Sequence, residues 1–230
     1  MLKINVVTAA KENYGNKRDT KNIKYIVIHY TANDGDADES NARYFQNQIV
    51  EASAHYFVDD NSTTQSVPDN FVAWSVGGEK YPSCATTGGG KWYGTCTNNN
   101  SISVELCDVV RNGKNDFTEK TLANAAELVR SLMKKYNVPI ENVIRHFDVV
   151  GKVCPKPFVE DVKAWEDFKE RLVEAMEKVY NTINELPKWA KPTIQKLIDK
   201  GYLSGISDGL GLTETAVKVF VVNDRAGLYG

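Results

Sequence analysis

A histidine, a lysine and a cysteine lie close together in the segment RHFDVVGKVCPKPF, which runs from Arg145 to Phe158. His146, Lys152 and Cys154 fall within nine positions, and two prolines end the segment. A buried strand has little use for a charge beside a thiol, and a surface loop has little use for a cysteine. The composition therefore indicates a site around which the three side chains meet.

A zinc ion suits this combination of residue types. Catalytic zinc sites take three protein ligands from His, Cys and carboxylate, and they keep a fourth position for water or substrate. His146 and Cys154 are eight residues apart, and the segment between them contains Gly151, so it can fold back to bring both side chains to one ion. His29 ends a predicted strand and is the natural third ligand, because strand ends in α/β folds project into a shared cleft. His55 stays open as a substitute ligand, a cleft-lining residue or a structural residue.

Hydrolysis also requires a group that accepts a proton and a group that stabilises a developing negative charge. Glu105 interrupts the apolar segment SISVELC, where strand alternation places Ser103, Glu105 and Cys107 on one face. Lys152 lies two residues before Cys154. We therefore expect Glu105 to act as the general base and the ammonium of Lys152 to face the oxyanion. The alternative is a structural ion pair between these two residues.

The cysteines allow two further interpretations. Cys154 as a nucleophile with His146 as its base would make a cysteine hydrolase. A proline-flanked loop is an unusual place for a nucleophile, however, because helix N-termini are more usual. Cys84 and Cys96 could form a disulfide within a loop. The four cysteines include no CxxC pair, which argues against a structural zinc finger.

Strands and helices alternate along the first 180 residues. KYIVIHYT predicts a buried strand, HYFVDDNSTTQSV predicts a hairpin, and SISVELC and NVIRHF predict two more strands. NARYFQNQIV and TEKTLANAAELVRSLMKKYN predict helices, the second of them capped by Thr118. A long amphipathic helix is predicted over 159–180. We therefore expect residues 1–180 to form an α/β domain with a mixed central β-sheet flanked by helices.

A long loop is predicted between Gly77 and Asn100, where Gly, Thr and Asn are frequent. Loops of this length are usually functional or mobile. We expect Trp92 and Tyr93 within the loop, and Trp74 beside it, to stack on sugar or peptide, and Asn100 to form hydrogen bonds with a glycopeptide. Core packing is the alternative for Trp74, and a role in the turn before the next strand is the alternative for Asn100.

The last fifty residues have a different pattern. WAKPTIQKLIDKGYLSG predicts a helix closed by Gly201, and TETAVKVFVVNDRAG predicts a second helix. We expect residues 181–230 to form a small all-α module. The first segment is similar to the opening of an S-layer-homology repeat, a module that anchors proteins to cell-wall polymer. About one repeat is present where sets are usual, so packing on the first domain or dimerisation is the alternative.

The overall composition excludes some partners. A net charge of −2 and a pI near 6.0 give no electrostatic basis for binding nucleic acid or an anionic membrane. No apolar run approaches the length of a membrane span. The first residues, MLKINVVTAAKENYG, lack the apolar core of a secretory signal. We therefore expect synthesis in a cytosol, where thiols are reduced.

Four motifs, IVIHYTA, SAHYFVD, NSISVELC and RHFDVVGKVCPKPF, occur in this order. Together they resemble the zinc-dependent N-acetylmuramoyl-L-alanine amidases of the phage lysozyme and peptidoglycan-recognition-protein fold, over roughly residues 24–172. The resemblance implies that His29, His146 and Cys154 bind one zinc ion. It also implies that the substrate is bacterial peptidoglycan, and that the bond cut joins the lactyl group of muramic acid to L-alanine.

The resemblance has one departure. Some family members carry a catalytic tyrosine immediately before the histidine of the second strand, where this chain has Ala54. A subset of phage amidases instead uses the glutamate of the SISVE motif, which Glu105 matches. We therefore expect a phage or prophage endolysin that waits in the host cytoplasm without a signal peptide and lyses the wall after release. The alternative is a non-catalytic peptidoglycan-binding protein; such members typically lack the zinc cysteine, and Cys154 is present.

Overall fold

The computed structural model describes residues 3–174, 178–204 and 209–230. They form two compact units, and the division falls between Leu172 and Val173. The sequence predicted this boundary after residue 180, which is later in the chain than the division in the structure. Within the described ranges, no helix is both long enough and apolar enough to cross a membrane.

The centre of the first unit is a mixed β-sheet of six strands. The strands of this unit are β1 (Ile4–Val6), β2 (Tyr14–Lys17), β3 (Tyr25–Tyr30), β4 (Tyr56–Val58), β5 (Thr63–Gln65), β6 (Phe71–Ala73), β7 (Ser101–Leu106), β8 (Val109–Arg111), β9 (Lys114–Asp116) and β10 (Val143–Arg145). The sheet order is β1-β5-β4-β7-β3-β10, while β2 pairs with β6 and β8 pairs with β9. Within the central sheet only β4 and β5 are antiparallel. The predicted class, α/β with a mixed central sheet, is confirmed.

Helices cover both faces of this sheet. They are α1 (Asp38–Asn47), α2 (Cys84–Thr87), α3 (Glu119–Tyr136), α4 (His146–Val150), α5 (Lys156–Glu160) and α6 (Val162–Glu174). The main core joins one sheet face to residues of α3, α5 and α6, such as Leu128, Phe158 and Phe168. On the other face, Ala42 of α1 packs with Phe57, and Val149 of α4 belongs to a separate cluster. Hydrophobic clusters therefore hold helices against both faces of the sheet.

Period-two alternation in β3 decides which residues reach the site. Ile26 and Ile28 point into the main core, whereas Val27 belongs to the cluster on the opposite face. His29 is two positions after Val27 and therefore lies on that opposite face too. Alternation thus places the core side chains of Ile26 and Ile28 on one face of β3 and the candidate ligand His29 on the other.

The segment from Arg145 to Phe158 differs from its predicted loop structure because it contains helix α4. The side chain of Asp148 caps this helix by accepting a hydrogen bond from the Arg145 N–H at 2.8 Å. Gly151 ends it with a φ of +87°. The long helix predicted over 159–180 is instead α5 and α6, and residues 175–177 of that prediction lie outside the described residues.

The second unit is built mainly from two helices. Its elements are β11 (Val179–Tyr180), α7 (Lys191–Asp199), β12 (Leu212–Thr213) and α8 (Glu214–Arg225). Ile194 and Leu197 of α7 pack with Val217 and Val221 of α8 in a hydrophobic cluster of this unit. The antiparallel pair of β11 and β12 was not expected in an all-α module. Both predicted helices are present.

Candidate metal centre

Three side chains that the sequence analysis selected as ligands lie together at one end of the sheet. His29 is near the end of β3, and β10 runs parallel to β3 and leads directly into His146. Cys154 returns to the same place because its carbonyl accepts a hydrogen bond from the Phe147 N–H at 2.8 Å. One nitrogen from each histidine and the Cys154 sulfur all lie within 4.8 Å of one another. Sγ of Cys154 is 3.7 Å from Nδ1 of His29.

The polar atoms of these ligands lack the partners that buried groups normally have. His29 is 2% exposed, Cys154 4% and His146 5%. Nε2 of His29 and both ring nitrogens of His146 form no hydrogen bond within the described part of the chain. Buried polar atoms are nearly always hydrogen-bonded or bound to a metal. The unpartnered nitrogens therefore indicate that the cluster is built to hold an ion.

The electrostatics of the cluster also favour a cation. Burial, followed by the charge of Lys152, lowers the pKa of His146 to about 4. Burial, followed by the charges of His146 and Lys152, lowers the pKa of His29 well below its ordinary value. Neutral imidazoles keep the lone pairs that bind metals. Burial raises the pKa of the Cys154 thiol to about 12, so its thiolate needs a positive ion nearby. One sulfur and two imidazoles form a donor set that fits zinc with one position left open.

Glu105 lies beside the cluster on the neighbouring strand. It pairs in register with His29 between β7 and β3, and its Oε1 is 3.8 Å from Nδ1 of His29. Its other oxygen is buried without a hydrogen-bond partner in the described residues. Burial raises the pKa of Glu105 to about 8 although the charge of Lys152 opposes the rise. A carboxyl group in this state is suited to accepting and returning a proton near neutral pH.

A cavity of about 680 Å³ opens over the cluster. It is lined by His29, Glu105, His146, Lys152, Cys154 and Trp74, together with residues of α1 and the loop that precedes it. The predicted metal, base and oxyanion residues therefore share one open pocket with one of the predicted stacking residues. Their roles stay predictions.

The other predicted substrate residues lie elsewhere. Tyr93 is 45% exposed and lines a neighbouring depression of about 780 Å³ that shares Trp74 with the main pocket. The Trp92 ring packs edge-on against Tyr25, with 5.4 Å between ring centroids, and it joins a hydrophobic cluster. Asn100 uses its side chain within a turn, where it accepts from the Thr97 N–H and donates to the Thr95 carbonyl. Neither Trp92 nor Asn100 lines the pocket over the cluster, and their predicted contacts with substrate stay predictions.

His55 also requires a correction. It is 1% exposed and does not line the pocket. Its Nδ1 contacts Oγ of Ser103 at 3.0 Å, and its Nε2 lies 2.8 Å from Nη2 of Arg18 and 3.2 Å from the carbonyl oxygen of Phe71. The ring is therefore fully occupied beneath the sheet, and the predicted positions on the cleft wall or at the metal do not fit it.

Sequence analysis did not identify Asp108 as part of the site. This residue is 0% exposed and follows β7. Its Oδ1 accepts from Thr31 Oγ1 and from the Asn33 N–H, both at 3.1 Å, and its carbonyl accepts from the Gly35 N–H. It therefore holds the loop after β3 that lines the pocket. The sequence feature that could have identified Asp108 is a carboxylate that closely follows an apolar strand.

The four cysteines are free thiols. Cys84 is partly buried and Cys96 is buried. Because both thiols are free, the structure does not contain the loop disulfide considered from the sequence.

Comparison with known proteins gives the family. A family model described as N-acetylmuramoyl-L-alanine amidase matches residues 19–157. The chain is 34% identical over 155 residues to the N-acetylmuramoyl-L-alanine amidase CwlL of Bacillus licheniformis, covering 65% of this chain and 41% of that protein. It is 33% identical over 160 residues to the amidase BlyA of Bacillus subtilis (strain 168), covering 67% and 42%. The chain thus spans less than half the length of these curated relatives.

Solved structures agree with this match. A mutant endolysin from Bacillus subtilis has a TM-score of 0.57 and 30% identity, covering 75% of this chain and 99% of that chain. The structure of PlyL has a TM-score of 0.58 and 31% identity, covering 74% and 97%. Because the family model covers more than half of its residues, the chain belongs to the N-acetylmuramoyl-L-alanine amidase family.

Proposed function

We propose that this chain is a zinc-dependent amidase of the endolysin type. In the proposed reaction it hydrolyses the amide between the lactyl group of N-acetylmuramic acid and L-alanine in bacterial peptidoglycan. The observation that carries the proposal is the cluster of His29, His146 and Cys154, whose donor atoms lie within 4.8 Å of one another beneath an open pocket. Glu105 beside this cluster supplies the acid–base group that hydrolysis requires.

One zinc ion would be held by His29, His146 and Cys154, and when bound it would supply Lewis-acid polarisation of the scissile carbonyl and a lowered water pKa. In the proposed reaction, Glu105 takes a proton from the attacking water and returns it to the leaving amine of L-alanine. Lys152 lines the same pocket. In the proposed reaction its ammonium stabilises negative charge on the carbonyl oxygen. Water adds to the amide, and a lactyl carboxylic acid and a free amine leave.

The second unit is proposed to bind cell-wall polymer and so to hold the first unit near its substrate. The similarity of its first helical segment to an S-layer-homology repeat supports this proposal. Trp189 and Tyr202, which are 44% and 64% exposed, offer aromatic surface for a polymer contact. In cell-wall sedimentation assays, the full chain should bind more strongly than the first unit alone, and equal binding would reject the proposal.

Purified cell wall tests the activity directly. New L-alanine amino groups should appear during digestion without new reducing sugar ends, and elemental analysis should find one zinc per chain. Chelation should abolish the release, and added zinc should restore it. Zinc binding without release would favour a non-catalytic peptidoglycan-binding protein, whereas activity insensitive to chelation would favour Cys154 as a nucleophile.

A further inference from the structure

A second cavity adjoins the metal pocket on the side of the long loop. It has a volume of about 490 Å³ and is lined by residues of the segment 75–82 and by His146, Val150 and Lys152. Ser75, His146 and Lys152 line both this cavity and the metal pocket. The two spaces therefore adjoin each other, and a substrate that crosses the metal cluster can extend from one toward the other. We call this space the lysine cavity.

Two lysines, Lys80 and Lys152, line the lysine cavity. Within the ranges that the structure describes, neither lysine forms a salt bridge or a side-chain hydrogen bond. Glu79 lines the same cavity, so the acidic and basic side chains of its lining sum to a net positive charge. Cations without partners at the wall of a concave site favour an anionic ligand.

Backbone hydrogen bonds fix Lys80 relative to the metal cluster. The Tyr81 N–H donates to the Val150 carbonyl at 2.8 Å, and the Gly90 N–H donates to the Phe147 carbonyl at 3.0 Å. Both acceptors belong to α4, the helix that begins with His146. The aliphatic part of Lys80 lies over Gly90 so closely that a Cβ on Gly90 would be 2.5 Å from Lys80 Cε. The loop around Lys80 is therefore held against the helix that carries His146.

We propose that the lysine cavity binds a side-chain or main-chain carboxylate of the stem peptide, on the amine side of the bond to be cut. This inference rests on the proposed function, because the peptide that follows L-alanine in peptidoglycan is acidic. A carboxylate there forms charge-assisted hydrogen bonds with Lys80, while Lys152 remains beside the scissile carbonyl. The chain then discriminates between walls whose stem peptides carry a free carboxylate and walls in which that group is a carboxamide.

A pair of soluble muramoyl peptides tests the proposal. The two differ only in the residue after L-alanine, which carries a free carboxylate in one and a carboxamide in the other. The wild-type chain should cleave the carboxylate form with a roughly fivefold higher kcat/KM, the upper range for a partly exposed ion pair. Lys80→Gln should reduce that ratio to near one, mainly through KM for the carboxylate form.

Lys91→Gln is the matched control, because Lys91 is an exposed lysine of the same loop that does not line the cavity and lies 5.5 Å from the Trp92 ring centroid. The Lys91→Gln variant should keep the wild-type ratio of kcat/KM between the carboxylate and the carboxamide peptide. Equal cleavage of both peptides by the wild type, or an unchanged ratio in Lys80→Gln, would overturn the proposal.

A separate measurement distinguishes failure of this inference from failure of the proposed function. If the wild type cleaves neither peptide, calorimetric titration with the corresponding L-alanyl peptides still measures binding. Tighter binding of the carboxylate form, lost in Lys80→Gln, would support the lysine cavity although the amidase assignment had failed. Equal binding of the two forms would overturn the inference by itself.

Discussion

Glu105 and His29 face each other on adjacent parallel strands, with Oε1 of Glu105 3.8 Å from Nδ1 of His29. Hydrogen bonding between β7 and β3 sets this spacing, so it does not depend on a flexible loop. The proposed base and a proposed ligand are thus positioned by the same part of the sheet. Their contributions are nevertheless separable by mutation, because only one of the two residues belongs to the ligand cluster.

Glu105→Gln should retain zinc and lose most turnover. The amide keeps the shape of the carboxyl group but cannot accept a proton, and loss of a general base typically costs 10²- to 10⁴-fold, so we expect kcat to fall by roughly 10³-fold. Zinc content by elemental analysis and release of amino groups from cell wall should be measured on the same preparation. A fully active Glu105→Gln variant would refute the base assignment.

Cys154→Ser should lose zinc and activity together. A serine hydroxyl is a much poorer zinc ligand than a thiolate, and two histidines alone leave the cluster one donor short. Far-ultraviolet circular dichroism should show that the variant still folds. Retention of one zinc per chain in an inactive Cys154→Ser variant would instead indicate that the sulfur acts as a nucleophile.

Gly151→Ala should destabilise the chain more than an ordinary glycine replacement. Gly151 has a φ of +87°, and a Cβ there would lie 2.2 Å from Sγ of Cys84. Gly113, with a φ of +75° and open space around it, is the matched control. Backbone strain alone should cost about 1 kcal/mol in Gly113→Ala, and the added overlap should bring Gly151→Ala to about 3 kcal/mol.

Urea unfolding should measure both variants. Adding Cys84→Ala to Gly151→Ala should recover part of the lost stability, because it removes the overlapping sulfur. Equal losses in Gly151→Ala and Gly113→Ala would show that the contact with Cys84 does not constrain this turn.

Asp69 should make stability fall in acid. Burial acts to raise the pKa of this carboxyl group, but hydrogen bonds from Lys135, Tyr136 and Tyr56 outweigh burial and lower it. A folded-state pKa below the unfolded value of about 3.9 contributes stability above that value, and this contribution is lost as pH falls through the folded pKa. Asp69→Asn should therefore cost about 2 kcal/mol at pH 7 and progressively less in acid.

Unfolding free energies measured from pH 7 down to pH 2 should show this convergence of wild type and Asp69→Asn. Glu166→Gln, at an exposed carboxylate on α6, is the control for the loss of one negative charge. A constant difference between wild type and Asp69→Asn across that range would contradict the argument.

A chain that ends at Glu174 should fold on its own. The main core lies within the first unit and includes Leu172, which is 0% exposed, while the second unit has its own cluster. Thermal unfolding should give one cooperative transition with zinc retained. A chain that ends at Arg171 removes Leu172 and should be less stable by about 3 kcal/mol. Aggregation of the chain ending at Glu174 would show that the second unit is needed for the first to fold.

Local sequence patterns predicted the strands of the central sheet well, and they selected three side chains that the structure brings together. KYIVIHYT and SISVELC could be recognised as strands from neighbouring residues alone, and in the structure His29 and Glu105 pair in register on these two strands. Thr118 was recognised as a cap for the same reason, and it accepts from the Thr121 N–H at 3.0 Å. The residues that could be predicted are those whose positions follow from short-range geometry.

Long-range contacts explain the predictions that the structure corrects. His55 is buried because Arg18 contacts its ring. Arg18 lies directly after β2 and is 37 positions earlier in the chain than His55. The Trp92 ring packs against Tyr25, which is 67 positions earlier in the chain, so the surroundings of Trp92 do not follow from the loop sequence. Helix α4 was not predicted, because the segment from Arg145 to Phe158 was interpreted from its candidate metal ligands. Asp148, which caps the helix, and Gly151, which ends it, both lie within that segment. No single-sequence pattern reports such pairings.

The long loop is attached to α4 through main-chain atoms. The N–H groups of Tyr81, Gly90 and Trp92 donate to the carbonyls of Val150, Phe147 and Asp148. Main-chain bonds of this kind survive most changes of side chain, so non-glycine positions of the loop can be varied while its path is kept. A library that randomises Lys80 and its exposed neighbours would therefore be a practical route to variants with a changed ligand preference at this loop.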